Sequence, residues 1–181
     1  SSFPNVYLQD STETVLDVAV KDSFKGSGGG SGNGKGEASV KIDVIYEYKT
    51  KSLPHIKVTD RREPDSVLGE KIIDIIKKGD LVIRDLGYTS QKVFQKIAEI
   101  GAYFLSRLHG GLNVYLNKTD LHPISLGDFL EKKCRKARVA DVLVYIGAQM
   151  MPCRLIAYRA PPEVEQERCR KYKKECKKKN R

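Results

Sequence analysis

Leu81-Val82-Ile83-Arg84-Asp85-Leu86-Gly87-Tyr88 is the stretch whose reading decides the fold. Leu81, Val82 and Ile83 are β-formers with no polar break, the pattern of a short strand buried on both faces. Asp85 falls where such a strand emerges, Gly87 permits a sharp turn, and Thr89-Ser90 can cap a following helix. In open α/β sheets, chemistry gathers at the carboxyl ends of strands. A second carboxylate, Asp10, ends another short apolar run, Val6-Tyr7-Leu8-Gln9. The functional reading rests on that pair.

Working outward, Leu68 to Lys78 has the apolar spacing of an amphipathic helix stopped by Gly79, with Asp65 or Ser66 as its cap. Ser90 to Ile100 is a second helix, with Val93, Phe94, Ile97 and Ile100 on one side and Gly101 at its end. Ala102 to Leu108 is a further strand. Upstream, Val40, Ile42, Val44 and Tyr46 alternate with Lys41, Asp43 and Glu47, a half-buried strand. A turn at Lys49-Thr50-Lys51-Ser52 leads to a partner strand from Leu53 to Thr59, completing an antiparallel hairpin. Phe3 to Gln9 is the first strand, broken by Asp10-Ser11-Thr12, and Thr14 to Val20 fits helix and strand equally badly. Residues 25–36 form a glycine-rich loop without the GxxxxGK[ST] order of a nucleotide-binding loop, so a linker or a substrate-facing loop.

The order is therefore strand, strand, strand, helix, strand, helix, strand. Helix-linked crossovers imply parallel neighbours. A mixed sheet with its first and fourth strands side by side would bring Asp10 and Asp85 to one edge. After Gly111 the pattern changes to a short strand at Val114 to Leu116, a helix from Leu121 to Leu130 capped by Ser125, a basic stretch from Lys132 to Arg138, and a hairpin of Val139 to Ile146 with Met151 to Tyr158. Pro161-Pro162 ends it, and Glu163 to Lys179 is a charged helix or tail. The expected organisation is a core over 1–110, a β-rich insertion over 111–162 and a basic helix or tail over 163–181.

The 181 residues carry a net charge of +10, which points to a polyanionic partner, nucleic acid before membrane. From Glu163 to Arg181 there are nine Lys or Arg against four Glu, half of that excess. The four cysteines have no close CxxC pair and the three histidines are scattered, which argues against zinc and against a disulfide framework. No run approaches the roughly 18 apolar residues of a membrane span, and no signal peptide is visible. A reducing, cytoplasmic setting is expected.

Two aspartates on adjacent strands can hold Mg²⁺ through hard oxygen ligands, and a basic chain around an acidic pocket is a workable nuclease layout. Asp10 before Ser-Thr also suits a simple turn or cap, and Asp85 before Leu-Gly an Asx-type turn. Five segments in order, Leu8-Gln9-Asp10-Ser11-Thr12, Ala38-Ser39-Val40-Lys41-Ile42, Thr59-Asp60-Arg61-Arg62-Glu63-Pro64-Asp65-Ser66, Arg84-Asp85-Leu86-Gly87-Tyr88 and Leu105-Ser106-Arg107-Leu108, resemble the catalytic domain of DDE transposases of bacterial and archaeal insertion sequences, nearest to group four of those elements.

That resemblance implies a ribonuclease-H-like α/β fold with a β-rich insertion. It also implies a Mg²⁺ or Mn²⁺ enzyme that cleaves transposon ends and joins them to target DNA, as a homodimer in the full-length protein, on the nucleoid. Asp10 and Asp85 match the family's first two catalytic, metal-binding carboxylates. Asp65 matches a recurrent family aspartate, although a helix cap accounts for it more simply. Lys41 and Arg107 match basic positions near the site, suited to phosphate contact or carboxylate pairing. The basic segment adds Lys173, Lys174, Lys177 and Lys178 as DNA contacts. The family's third carboxylate, a Glu on a helix after the insertion, has no match: Glu163, Glu165 and Glu167 come too early. The chain is expected to end before it, to be inactive alone, and to expose the sheet face on which that helix packs. Two other readings stay open: another ribonuclease-H-like nuclease such as a resolvase, and a non-catalytic DNA-binding remnant.

Overall fold

The computed structural model describes residues 2–24, 38–88, 90–108 and 110–179. The glycine-rich loop expected at 25–36 lies outside the described residues. The chain divides into two compact units, Ser1–Gly110 and Gly111–Arg181.

The first unit is built on a mixed sheet of β1 (Val6–Leu16), β2 (Ala38–Glu47), β3 (Ser52–Asp60), β4 (Leu81–Arg84) and β5 (Tyr103–Ser106), in the order β3-β2-β1-β4-β5. β1, β2 and β3 are antiparallel, while β4 pairs in parallel with both β1 and β5. The first and fourth strands are thus neighbours, as the crossovers predict. Two helices lie between strands: α1 (Asp65–Leu68), continued as a 3₁₀ segment over Gly69–Asp74, and α2 (Gln91–Glu99). Val93, Phe94 and Ile97 of α2 are buried, and Phe94 stacks on Phe104 of β5 at 4.1 Å between ring centres. Burying side chains of this kind contributes roughly 1.5–3 kcal/mol each. Ser90 caps α2 as expected, its Oγ accepting from the Val93 amide at 3.5 Å, and Gly101 ends it at φ +78°.

Three expectations are corrected. The polar run after Gln9 does not break the first strand: β1 stays paired with β2 from Tyr7 through Leu16, and only then does a 3₁₀ turn form at Val18–Val20. The expected long helix from Leu68 is a single α-turn followed by 3₁₀. The sheet reaches into that segment, with Gln9 Nε2 donating to the Leu68 carbonyl at 3.2 Å and Arg84 Nη2 to the Gly69 carbonyl at 2.7 Å. Finally, the covered face of β2 is its polar one. Lys41, Asp43, Ile45 and Glu47 are buried, while on the other face Val40 is buried but Ile42, Val44 and Tyr46 are only half-buried. That other face is apolar across the sheet and open at both edges, with Ile56 and Val58 of β3 and Tyr103 and Leu105 of β5 exposed.

The second unit holds an antiparallel sheet of β6 (Val114–Tyr115), β7 (Val139–Ile146) and β8 (Met151–Tyr158). The hairpin matches the expected bounds, turning through Gly147 and Met150 at positive φ. α3 (Leu126–Ala137) packs on β7 and β8, and takes in most of the basic stretch that was expected to follow it. α4 (Pro162–Lys179) closes the unit. Among the described residues, no helix is long and apolar enough to cross a membrane.

Candidate active site

The register of three parallel strands places the candidate residues. Gln9 of β1 pairs with Arg84 of β4, and Arg84 with Ser106 of β5. The next residue on each strand is Asp10, Asp85 and Arg107. One row of the sheet therefore delivers two carboxylates and a guanidinium at the carboxyl ends of β4 and β5. Alternation sets their faces. Gln9 and Arg84 are buried toward the helices, so Asp10 projects from β1 to the open face, where it is exposed. Its Oδ1 accepts from the Ser11 amide at 2.9 Å.

Asp85 is half exposed and accepts from Arg107 Nε at 2.9 Å, with a second, shorter contact from Nη2. The Arg107 hydrogen bond, helped by the Leu86 amide, holds its carboxyl below the usual aspartate range. Asp85 is therefore ionised at neutral pH.

Asp65 is the first residue of α1, and the N-cap is Pro64 with no side-chain bond. The helix-cap account of Asp65 does not hold. Its Oδ1 instead accepts from Lys41 Nζ at 3.0 Å and from Ser11 Oγ at 3.2 Å. A Cβ at Gly87 would lie 2.6 Å from its Oδ2. Gly87 is there for close approach, since its φ is not positive. Asp65 thus joins the residue after Asp10, the strand β2, and the turn after Asp85. Lys41 is buried, and its ammonium meets Asp65, the Glu63 carbonyl at 3.0 Å and Glu13 at 3.5 Å. Lys173 and Lys174 are exposed on α4; the side chains of Lys177 and Lys178 lie outside what the structure describes.

Beneath the row lies a polar network that the sequence reading did not find. Asp43 is fully buried and accepts from Tyr88 Oη at 2.5 Å and from Gln9 Nε2 at 3.4 Å, with His55 Nε2 also 3.4 Å away. Arg84 Nη2 donates to Gln9 Oε1 at 2.8 Å. Burial pushes the Arg84 guanidinium down to about 10, opposed by the nearby Tyr88 and Asp43. Burial and the bond to Asp43 push the Tyr88 hydroxyl up. Gln9 and Arg84 immediately precede Asp10 and Asp85, so the network anchors both from below. The available signal was Asp43 between β-formers and Tyr88 three residues after Asp85. Alternation alone assigned the first to solvent.

Among the described residues, no group of three or more His, Cys, Asp or Glu side chains is placed to share a metal ion. A family model described as the transposase DDE domain matches residues 1–181, the whole chain. The chain belongs to the transposase DDE domain family.

Curated transposases are similar to part of the chain. The chain is 28% identical over 116 residues to the transposase for insertion sequence element IS231F of Bacillus thuringiensis subsp. israelensis, covering 64% of this chain and 24% of that protein. It is 29% identical over 114 residues to that of IS231B from subsp. berliner, covering 63% and 23%. The chain thus spans about a quarter of the length of these curated relatives. Among solved structures, the cryo-EM structure of a piggyBac transposase synaptic complex with hairpin DNA is similar at a TM-score of 0.38 and 12% identity, over 86% of this chain and 33% of that one.

Proposed function

We propose that this chain is part of the catalytic domain of an insertion-sequence transposase, cutting DNA at the ends of its element and joining them to a target. The strand order β3-β2-β1-β4-β5, with an antiparallel opening and parallel crossovers, supports a ribonuclease-H-like reading of the core. The observation that carries the site is the single sheet row of Asp10, Asp85 and Arg107.

The donor set fits a hard divalent cation. Asp10 and Asp85 offer exposed carboxylate oxygens, Asp85 already ionised, and Mg²⁺ is commonly held by one or two carboxylates with its remaining positions left to water. Bound Mg²⁺ or Mn²⁺ supplies charge stabilisation at a phosphodiester and acidifies a water. The residues do the rest. Arg107 keeps Asp85 deprotonated and oriented, and its guanidinium would also suit a phosphate. Lys41 and Asp65 tie β2 and β1 to the turn after Asp85. A third carboxylate would come from outside the described residues, onto the open face where Asp10 projects. DNA is the partner through the basic α4, and the protein would work on the nucleoid as a dimer.

The test is Mn²⁺ binding to this chain by calorimetry, with Asp10→Ala and Asp85→Ala alongside. Binding lost in both variants puts the two carboxylates in one site. Binding unchanged by either would return them to turn and surface roles, and favour a non-catalytic DNA-binding remnant.

A further inference from the structure

We propose that the second unit carries a built phosphate site for duplex DNA, an arginine-lined groove between α3 and α4, separate from the lysines of α4. It deepens the DNA-acting reading above. A concavity of about 330 Å³ is lined by Arg135, Arg138 and Arg159, over Cys134 and beside Glu165. A second, of about 490 Å³, shares Cys134, Arg159 and Glu165 and adds Arg168. Four arginines line this continuous groove against two acids, Glu131 and Glu165.

The backbone brings the arginines together. Val139 pairs with Tyr158 as the last row of the β7–β8 hairpin, and the Arg159 amide donates to the Arg138 carbonyl at 2.8 Å. Arg138 and Arg159 therefore face each other across the open end of the hairpin, where like charges repel. Arg138 does so in the left-handed region, at φ +55°, which a non-glycine residue adopts at a cost. Arg135 lies one turn earlier on the same helix. Three arginines outside the groove are paired with acids: Arg61 with Glu13, Arg107 with Asp85 and Arg154 with Asp141. Among the described residues, Arg135, Arg138, Arg159 and Arg168 make no ion pair. A phosphodiester backbone supplies the missing charge, and the guanidinium fork suits its paired oxygens.

The experiment is fluorescence anisotropy of this chain on a labelled DNA duplex between 50 and 200 mM salt. The test variant is Arg138→Asn with Arg159→Gln, since Asn tolerates the left-handed backbone. The control, Lys21→Ala with Lys92→Ala, removes the same charge from the first unit. Each lost phosphate contact lowers the log–log salt slope by about 0.9, so two lower it by about 1.8. Across that fourfold salt range, the wild type then loses roughly tenfold more affinity than the groove variant. Arg138→Lys with Arg159→Lys keeps most of the slope, which separates lost contacts from lost folding. A slope change no larger than the control's, or no duplex binding at all, overturns the groove. Mn²⁺ binding at Asp10 and Asp85 is read separately, so either reading can fail while the other stands.

Discussion

Tyr88→Phe tests whether the buried network holds the site. The substitution keeps the ring, which is 2% exposed, and removes only the hydroxyl that donates to Asp43 at 2.5 Å. Asp43 is 0% exposed, and its other two partners, Gln9 and His55, stand at 3.4 Å. Neither can replace the short bond without moving the sheet. A hydrogen bond to a charged group contributes about 1.5–3 kcal/mol, and a buried acceptor left short of donors sits in the upper part of that range. We expect a loss of about 2–3 kcal/mol by urea denaturation, with the midpoint lowered and the m-value unchanged. In thermal unfolding this is roughly 4–12 °C for a chain of this size. Adding Asp43→Asn should cost much less in the Tyr88→Phe background than in the wild type, because the two residues act as one unit. A loss below about 0.5 kcal/mol, the range of unremarkable surface changes, would refute the claim that this bond anchors the turn.

Three further outcomes follow from named contacts. Gly87→Ala places a methyl 2.6 Å from an Asp65 oxygen whose carboxylate is already held by Lys41 and Ser11, so urea denaturation should show a loss of about 1–3 kcal/mol, largely absent in an Asp65→Ala background. Arg107→Ala should raise the Asp85 titration midpoint toward the ordinary aspartate range in a carbon-detected NMR titration; an unmoved midpoint would mean that Arg107 does not set it. Glu47 is held down to about 2 from an ordinary 4.5, first by the Thr50 hydroxyl and then by backbone amides of Thr50, Lys49 and Val6. Its folded value is the lower one, so its contribution to stability is full above pH 4.5 and is lost as pH falls toward 2. Thr50→Val should flatten the fall of Tm over that acid window and leave the neutral plateau nearly parallel.

What could be read ahead of the structure was what local pattern controls. Short β-branched runs, helix spacing, Ser90 and Gly101 each act over a few residues, and they located β4, α2, β5 and the β7–β8 hairpin. The parallel crossovers were compatible with β1 beside β4, and the structure pairs them so. The errors share a cause, which is that the deciding partner lay far along the chain. Asp10-Ser11-Thr12 looks like a break because its side chains are polar, yet β2, more than twenty residues later, supplies the ladder that keeps it extended. The α-turn gives way to 3₁₀ at Gly69, whose carbonyl accepts from Arg84, fifteen residues on.

The inversion of β2 has the same origin and bears most on function. Apolar residues are normally assigned to the covered face, and in an ordinary half-buried strand that assignment is sound. Here Lys41 and Asp43 go under the helices because Asp65, Tyr88 and Gln9 arrive there to pair with them. The apolar alternate face is left open at its edges. A protein that must hold two carboxylates at the end of a sheet row needs rigid support beneath them, and directional bonds to Gln9, Arg84 and the turn at Tyr88 fix that row in a way that apolar packing does not. The polar underside and the open apolar topside are then one arrangement: the underside anchors Gln9 and Arg84, the residues before Asp10 and Asp85, and the topside leaves Asp10 exposed.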